Sequence, residues 1–470
     1  METSCPKTRL RSALPLILAF SAVGLASCEL LGDTSLPDYA NLEDISYVQH
    51  VQVLFDDRCT ACHGAGGALP DLTSLDGLRS GASTGGAVVP FSAERSRLIR
   101  MLATRTGATH PENVGGERLP DEEVDFLRRW IDGGARDDLG QPLYADAQNL
   151  VLATLPDEAL IALIDADRMA VARYIDIVAL GFSPNARPTH VAAVPGGSGW
   201  VVSLPGEGAV LRFDAGHTLR GLAEIVRPGP LAASQDGAWF VVGRQSDDPA
   251  DLVHVIEASA MRVTELQTAF SHMEAVAIRP QGDVAFAASR QSDQLVVIPT
   301  GSSQTTFTGV GGPRHGIVEL LTPPGGSKLF ALGSSSGQLV EFDLSSPAQP
   351  VQTRSVTVGG TIRAGALLDS RVAILTQSGS IHIVDPDGSS VGSALPAISS
   401  GSTITTVSGG VWVGGLVDGG GQRFTDITVI GGISVTDPGT SAIVRTIEID
   451  GVPAGMATLS LAAPTTSGSP

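Results

Sequence analysis

Positive charge, aromatic rings and cysteine are all scarce in this chain of 470 residues. Lysine occurs only as Lys7 and Lys328, and 30 Lys and Arg face 49 Asp and Glu, for a formal charge of −19. That balance excludes nucleic acid as a partner, because a phosphate backbone is gripped by cationic side chains. Four cysteines are too few for a disulfide scaffold in a chain this long. Phe, Trp and Tyr make up 4% of the residues, whereas 56 Gly and 29 Pro are present and 42% of the chain is hydrophobic. Many short strands joined by tight turns produce such a balance. The length leaves room for two or three domains.

No long apolar run is present either. Ala13 to Leu25 is the most apolar stretch near the N-terminus, follows the basic Lys7, Arg9 and Arg11, and is too short for a bilayer-spanning helix, which needs about 20 residues. It reads as an export signal. The stretch ends in Leu25-Ala26-Ser27-Cys28, which resembles the bacterial lipobox; the resemblance implies acylation of Cys28 as the first mature residue. The other reading is an ordinary signal cleaved at small residues, with Cys28 incidental. Removal of residues 1–27 takes away three positive charges and one negative (Glu2), moving the formal charge from −19 to −21. Attachment to an anionic lipid surface by basic residues is thereby excluded, and the acyl chains would be the membrane anchor. Residues 28–42 read as a tether. The expected location is the bacterial cell envelope, on the periplasmic side or the outer-membrane face.

With Cys5 removed and Cys28 acylated, the thiols that remain are Cys59 and Cys62, in Cys59-Thr60-Ala61-Cys62-His63. Two thiols three residues apart reach the two vinyl groups of a haem, and the following His is placed as the proximal iron ligand. A structural zinc site would need further Cys or His partners, and no second CxxC exists. A dithiol oxidoreductase would want a strand before the motif. Here Ile45, Val48, Val51, Leu54 and Phe55 recur at helical spacing instead. One covalent haem c, held by Cys59, Cys62 and His63, is therefore expected.

The surroundings fit. A Gly-rich loop follows the motif, Ser92 to Thr104 reads as a helix, and Asp121 to Ala135 reads as another. The last has Val124, Leu127, Trp130 and Ile131 on one face, acidic residues at its start and Gly133-Gly134 at its end. Residues 46–136 resemble a small c-type cytochrome domain of planctomycete type. The resemblance is carried by Cys62-His63-Gly64, Val89-Pro90, Arg95-Ser96, Leu119-Pro120-Asp121-Glu122-Glu123 and Trp130 to Ala135. It implies an all-α cytochrome c domain, placed at 43–138, whose first and last helices cross beside the haem. That family carries a distal Met before a Pro in the loop preceding the last helix. This chain has His110-Pro111 there, and its one Met in the domain is Met101. His110 is the expected distal ligand, with a five-coordinate iron or ligation by Met101 as the alternatives. His50 is a weaker candidate, two to three turns before Cys59. An imidazole in place of a thioether lowers the potential.

The remaining two-thirds is an internal repeat. Short apolar runs ending in an acidic or turn residue recur seven times: 160–165, 210–214, 252–257, 295–299, 339–343, 381–385 and 433–437, at spacings of 42 to 52 residues. Before most of them lie a second run, such as Trp200 to Ser203, and a Pro-led strand of small residues, such as Pro188 to Gly196. A unit of four short strands cannot bury both faces alone, and radial stacking into a β-propeller solves this. The texture is similar to YVTN-type propellers. Seven blades are expected over 149–463, with the C-terminal run Pro453 to Leu461 completing the first blade, an insertion at 419–430, and a disordered tail at 464–470. The fold class is thus multidomain, a small all-α domain followed by an all-β seven-bladed propeller.

His190 and His315 fall at equivalent repeat positions and could face the central channel together, although packing roles are the commoner fate. Asp165, Asp214, Asp343 and Asp385 end strands and are expected to bond turn amides. Three functions remain open. The first is a monohaem electron-transfer lipoprotein that meets a redox partner protein in the envelope, with the propeller as docking platform. The second is an oxidoreductase relaying electrons between the haem and a propeller active site. The third is a non-redox adhesion or binding propeller.

Overall fold

The seven apolar runs are the third strands of seven four-stranded antiparallel sheets, and the chain folds as a seven-bladed β-propeller. The computed structural model describes residues 37–66, 69–81, 85–103, 110–246, 252–388, 391–398, 400–417 and 431–461. The export signal, Cys5, Cys28, the first part of the tether, the insertion at 419–430 and the 464–470 tail lie outside them.

Burial explains why the third strands stand out in the sequence. Leu160–Asp165 is buried at every position, and Leu295 to Ile298 and Leu339 to Phe342 are buried without a break. Neighbouring blades cover both faces of these strands, so the usual alternation of apolar and polar residues is lost. The outer strands are solvated instead: in Leu219–Glu224, Arg262–Gln267 and Val351–Thr357 most side chains are at least partly exposed. Acidic residues close the third-strand turns. Asp165 Oδ1 accepts the N–H of Asp167 and Arg168, Asp214 Oδ1 that of Thr218, Asp343 Oδ1 that of Ser345 and Asp437 Oδ1 that of Gly439.

The ring closes through the chain's last strand. Gly455–Ser460 pairs antiparallel with Asn149–Leu155 and becomes the innermost strand of the first blade. The approach to the second blade is close: a Cβ at Gly455 would lie 2.5 Å from Thr189 O. Thr154 Oγ1 fastens the junction, donating to Thr189 O and accepting the Gly455 N–H.

Ahead of the propeller lies a helical segment. A π-helical turn, Tyr47–Val51, runs into α1 (Gln52–Arg58). Then follow α2 (Leu75–Ser80), α3 (Arg97–Leu102) and α4 (Asp121–Asp132). α1 packs on α4 through aromatic rings: Phe55 meets Trp130 edge-on at 6.4 Å and Tyr47 lies 5.9 Å from the same ring. At the end of α4, Gly134 takes φ +106°, and a Cβ there would lie 2.7 Å from the Phe91 ring. Two details differ from the helical periodicity. Val48, expected on the packed face, is exposed, because the π-turn rotates it away from Val51 and Leu54. The helix expected over 92–104 is broken at Ser96 into a 3-10 turn, Ala93–Arg95, and α3. The buried Ser96 hydroxyl donates to Ser92 O and accepts the Val89 N–H, an alternative to helix continuation.

Segment and propeller share a core. Val89 packs in one cluster with Val151, Ile164, Trp412, Ile433 and Ile447, residues of the first and last blades.

Candidate haem site

α1 delivers the CxxCH motif on a continuing coil of backbone. The N–H groups of Cys59 and Thr60 both donate to Phe55 O, and those of Cys62 and His63 both donate to Cys59 O at 3.1 and 3.0 Å. Cys62 is exposed and Cys59 half-buried, and they form no disulfide. Burial pushes the Cys59 thiol up to about 12, with the charge of Glu123 adding and that of Arg58 opposing. Disulfide-exchange centres work through a lowered thiol pKa, so Cys59 is poorly suited to that chemistry.

The imidazole after the motif is held in one orientation. His63 Nδ1 lies 3.1 Å from the Pro70 carbonyl oxygen. A carbonyl only accepts, so Nδ1 carries the proton and Nε2 keeps its lone pair for a metal. The Leu72 N–H also donates to His63 O at 3.0 Å.

Opposite this ring stands His110, its centroid 5.8 Å away and its plane turned by 79°. An ion bound about 2 Å from one nitrogen of each ring would set the centroids roughly 6 Å apart. The spacing therefore fits one metal between the two imidazoles. The His110 N–H donates to Met101 O at 3.3 Å, at the end of α3, and Met101 itself is half-buried there. His50 is turned away, its Nδ1 accepting the Ser46 N–H at 3.1 Å.

Among the described residues, no group of three or more His, Cys, Asp or Glu side chains could hold a metal ion. Two imidazoles would offer one nitrogen each, and an ion there would take its remaining donors from elsewhere. A porphyrin supplies four in one plane, and the two flanking thiols suit its vinyl groups. The residues present therefore fit a haem. On α1 and α4 Leu54, Phe55, Leu127 and Ile131 are buried, and Glu123, itself only 4% exposed, accepts two hydrogen bonds from Arg58 at 2.9 and 3.2 Å.

His315, His190 and His217 each have partners of their own. His315 is fully buried, with Nδ1 2.9 Å from Ser336 Oγ and Nε2 3.2 Å from Gly311 O. His190 lies three blades away beside Thr189 Oγ1, and burial lowers it to about 4. Both ring nitrogens of His315 thus have partners of their own, and neither of its contacts involves His190. His217 Nδ1 accepts the Trp200 indole N–H at 3.2 Å, a structural role.

No known family model matches the sequence, and neither does any curated protein. Two solved structures are similar in part. One is the Kuenenia stuttgartiensis hydrazine synthase, at 17% identity over 57% of this chain and 89% of that one, with a TM-score of 0.44. The other is a dihydro-heme d1 dehydrogenase, NirN, in complex with DHE, at 14% identity over 86% of this chain and 98% of that one, with a TM-score of 0.47. Both likenesses are too distant to bear on function; the seven-bladed fold rests on the strand pairing itself.

One set of residues near the site escapes sequence reading. Arg95, Arg97 and Arg100 reach the propeller's Asp450 and Glu448, some 350 residues further along. Three arginines within six residues are visible in the sequence, but nothing local names their partners.

Proposed function

We propose that this chain is an exported monohaem c-type cytochrome that passes single electrons in the cell envelope. Thioether links at Cys59 and Cys62 would hold the haem, His63 would be the proximal ligand and His110 the distal one. The observation that carries the reading is the 5.8 Å approach of His110 to the imidazole of a CxxCH motif. A haem so ligated supplies one-electron oxidation and reduction without bond chemistry on a substrate. The chain's own residues do the rest. The Pro70 carbonyl fixes the His63 tautomer, the Met101 carbonyl holds the backbone of His110, and the Phe55–Trp130 contact sets the crossing of α1 on α4. The propeller would serve as the docking platform for a redox partner protein, and acylation of Cys28 would anchor the chain to the membrane.

Protein matured in a host with cytochrome assembly machinery tests this directly. The expected product is red, carries the mass of one covalent haem and one iron per chain, and shows only c-haem bands. A colourless product without the added mass sinks the reading. A second chromophore would move the function to an oxidoreductase. Substitution His110→Ala is expected to convert ferric iron from low to high spin, and unaltered bands would exclude His110 as ligand.

A further inference from the structure

The helical segment is fastened to the propeller by a cluster of arginines that ends one residue from the group holding His110. Asp450 follows the outer strand of the last blade, Ala442–Ile449. Its carboxylate takes a two-pronged grip from Arg100, Nη1 to Oδ1 at 2.7 Å and Nη2 to Oδ2 at 2.6 Å, with Arg95 Nη1 at 3.2 Å on Oδ2. Arg97 reaches Glu448 at 3.4 Å. The carboxylate side is itself braced. The Asp450 N–H donates to Tyr174 Oη at 3.2 Å, and the Arg95 guanidinium lies over the Tyr174 ring at 5.6 Å. Only 14% of the Asp450 side chain is exposed, so the pairing is shielded and directional rather than a loose surface contact.

Arg100 and Met101 are neighbours on α3. Arg100 is held by the propeller, and the Met101 carbonyl accepts the N–H of His110. We propose that Asp450 is a positioning residue for the distal imidazole, so that the propeller, through Arg100 and α3, sets how firmly His110 faces His63. This rests on the haem reading above and extends it: the blades take part in the iron's ligation instead of only presenting a surface. Groups behind a metal's direct ligands commonly tune affinity and potential in this way. The structural logic is a chain of short links, from carboxylate to guanidinium, along one peptide step of α3, and from carbonyl to the ligand's own amide.

The test compares Asp450→Asn, Asp450→Glu, Arg97→Gln and, as a distant control, Asp214→Asn, which loosens an exposed pair with Arg220 on the second blade. In Asp450→Asn the ferric spectrum is expected to gain a high-spin fraction. The midpoint potential should rise, because an imidazole donor favours the ferric state, and cyanide should bind on the order of tenfold more tightly as His110 yields its place. Asp450→Glu should restore much of the wild-type spectrum, Arg97→Gln should shift it less in the same direction, and Asp214→Asn should leave it unchanged. Should Asp450→Asn fail to fold, Arg100→Gln, which cuts the same pair from the helix side, carries the test with the same expected shifts. Wild-type spin state, potential and cyanide affinity in the folded variants would overturn the proposal. Amide hydrogen exchange separates the two layers. If wild-type protein carries no haem, the haem reading fails, and faster exchange at His110 in Asp450→Asn still reports whether the propeller holds that residue. Unchanged exchange overturns the positioning role with or without haem.

Discussion

The propeller and the helical segment are stabilised in opposite ways. In the propeller, each blade buries its middle strands between two neighbours, and large side chains such as Trp200, Phe213, Phe240, Phe286 and Phe342 are almost fully enclosed. Little is asked of any single polar contact. The helical segment has helices of seven, six, six and twelve residues, most of them too short to persist without tertiary support. Its own packing is largely aromatic, with Val89 joining the propeller core, and its irregular stretches are tied down by individual bonds: Pro70 to His63, Met101 to His110, Asp450 to Arg100. A repeated architecture tolerates loss of one contact because its neighbours are equivalent. A small non-repeated one depends on particular links, and those links surround the candidate site.

The contrast is broken most severely by removing the two thiols together. Cys59→Ser with Cys62→Ser should abolish the covalent haem mass completely and leave the helical segment open to protease, while a propeller fragment survives. Simultaneous loss of both regions would show that the propeller cannot stand without the segment. Next in size is a core deletion in a blade. Phe213 stacks on Trp200 at 4.0 Å, and Phe213→Ala should cost about 3–5 kcal/mol in denaturant unfolding without moving the haem bands. A third variant acts on the segment's own ion pair. Glu123→Gln removes the buried one of Arg58's two carboxylate partners, with Asp57 still at 3.3 Å, and should cost about 2–3 kcal/mol, below the full range for a buried pair because Arg58 is partly solvated. Here the segment should melt before the propeller, detectable as an early loss of helical signal.

The last effect is one of pH, and it belongs to the propeller. Burial lowers His190 and His217 to about 4, below the ordinary 6.5 of a free imidazole. Between those values the unfolded chain takes up protons that the folded one refuses. Stability is therefore full above about pH 6.5 and declines as the pH falls towards 4. Glu319 works on the other side. Burial pushes its carboxyl up to about 8, against N–H groups of Gly365 and Leu320, so its contribution is complete below the ordinary 4.5 and is lost as the pH rises through 8. His217→Phe should flatten the acid limb and Glu319→Gln the alkaline one in pH-dependent thermal melts. Unchanged limbs would locate the pH response outside the propeller.

The legibility of the two regions also differs, for the same physical reason. Third strands enclosed on both faces leave apolar runs that recur at near-constant spacing, so all seven blades can be counted in the sequence. The outer strands, solvated on one side, leave weaker marks. In the helical segment the CxxCH motif and the amphipathic pattern of α4 are plain, because covalent attachment and helix periodicity are local demands. The break at Ser96 and the turning out of Val48 are not plain, since they follow from one hydroxyl bond and one π-turn. The partnership of His315 with Ser336 and Gly311 was beyond reach as well: equivalent repeat positions share a backbone, not a set of neighbours. Nor does any local pattern connect Arg100 with Asp450, because the ring closure brings them together.

The pairing of Gly455–Ser460 with Asn149–Leu155 also imposes an order of assembly. A chain emerging from its amino end can complete six blades, yet the first must wait for its innermost strand until almost everything else has arrived. Asp450 arrives with that same stretch. The grip on α3 and the shutting of the circle are thus late and nearly simultaneous steps. A chain cut at residue 449 would leave an open arc in which Arg95 and Arg100 lack the Asp450 carboxylate and Arg97 still reaches Glu448.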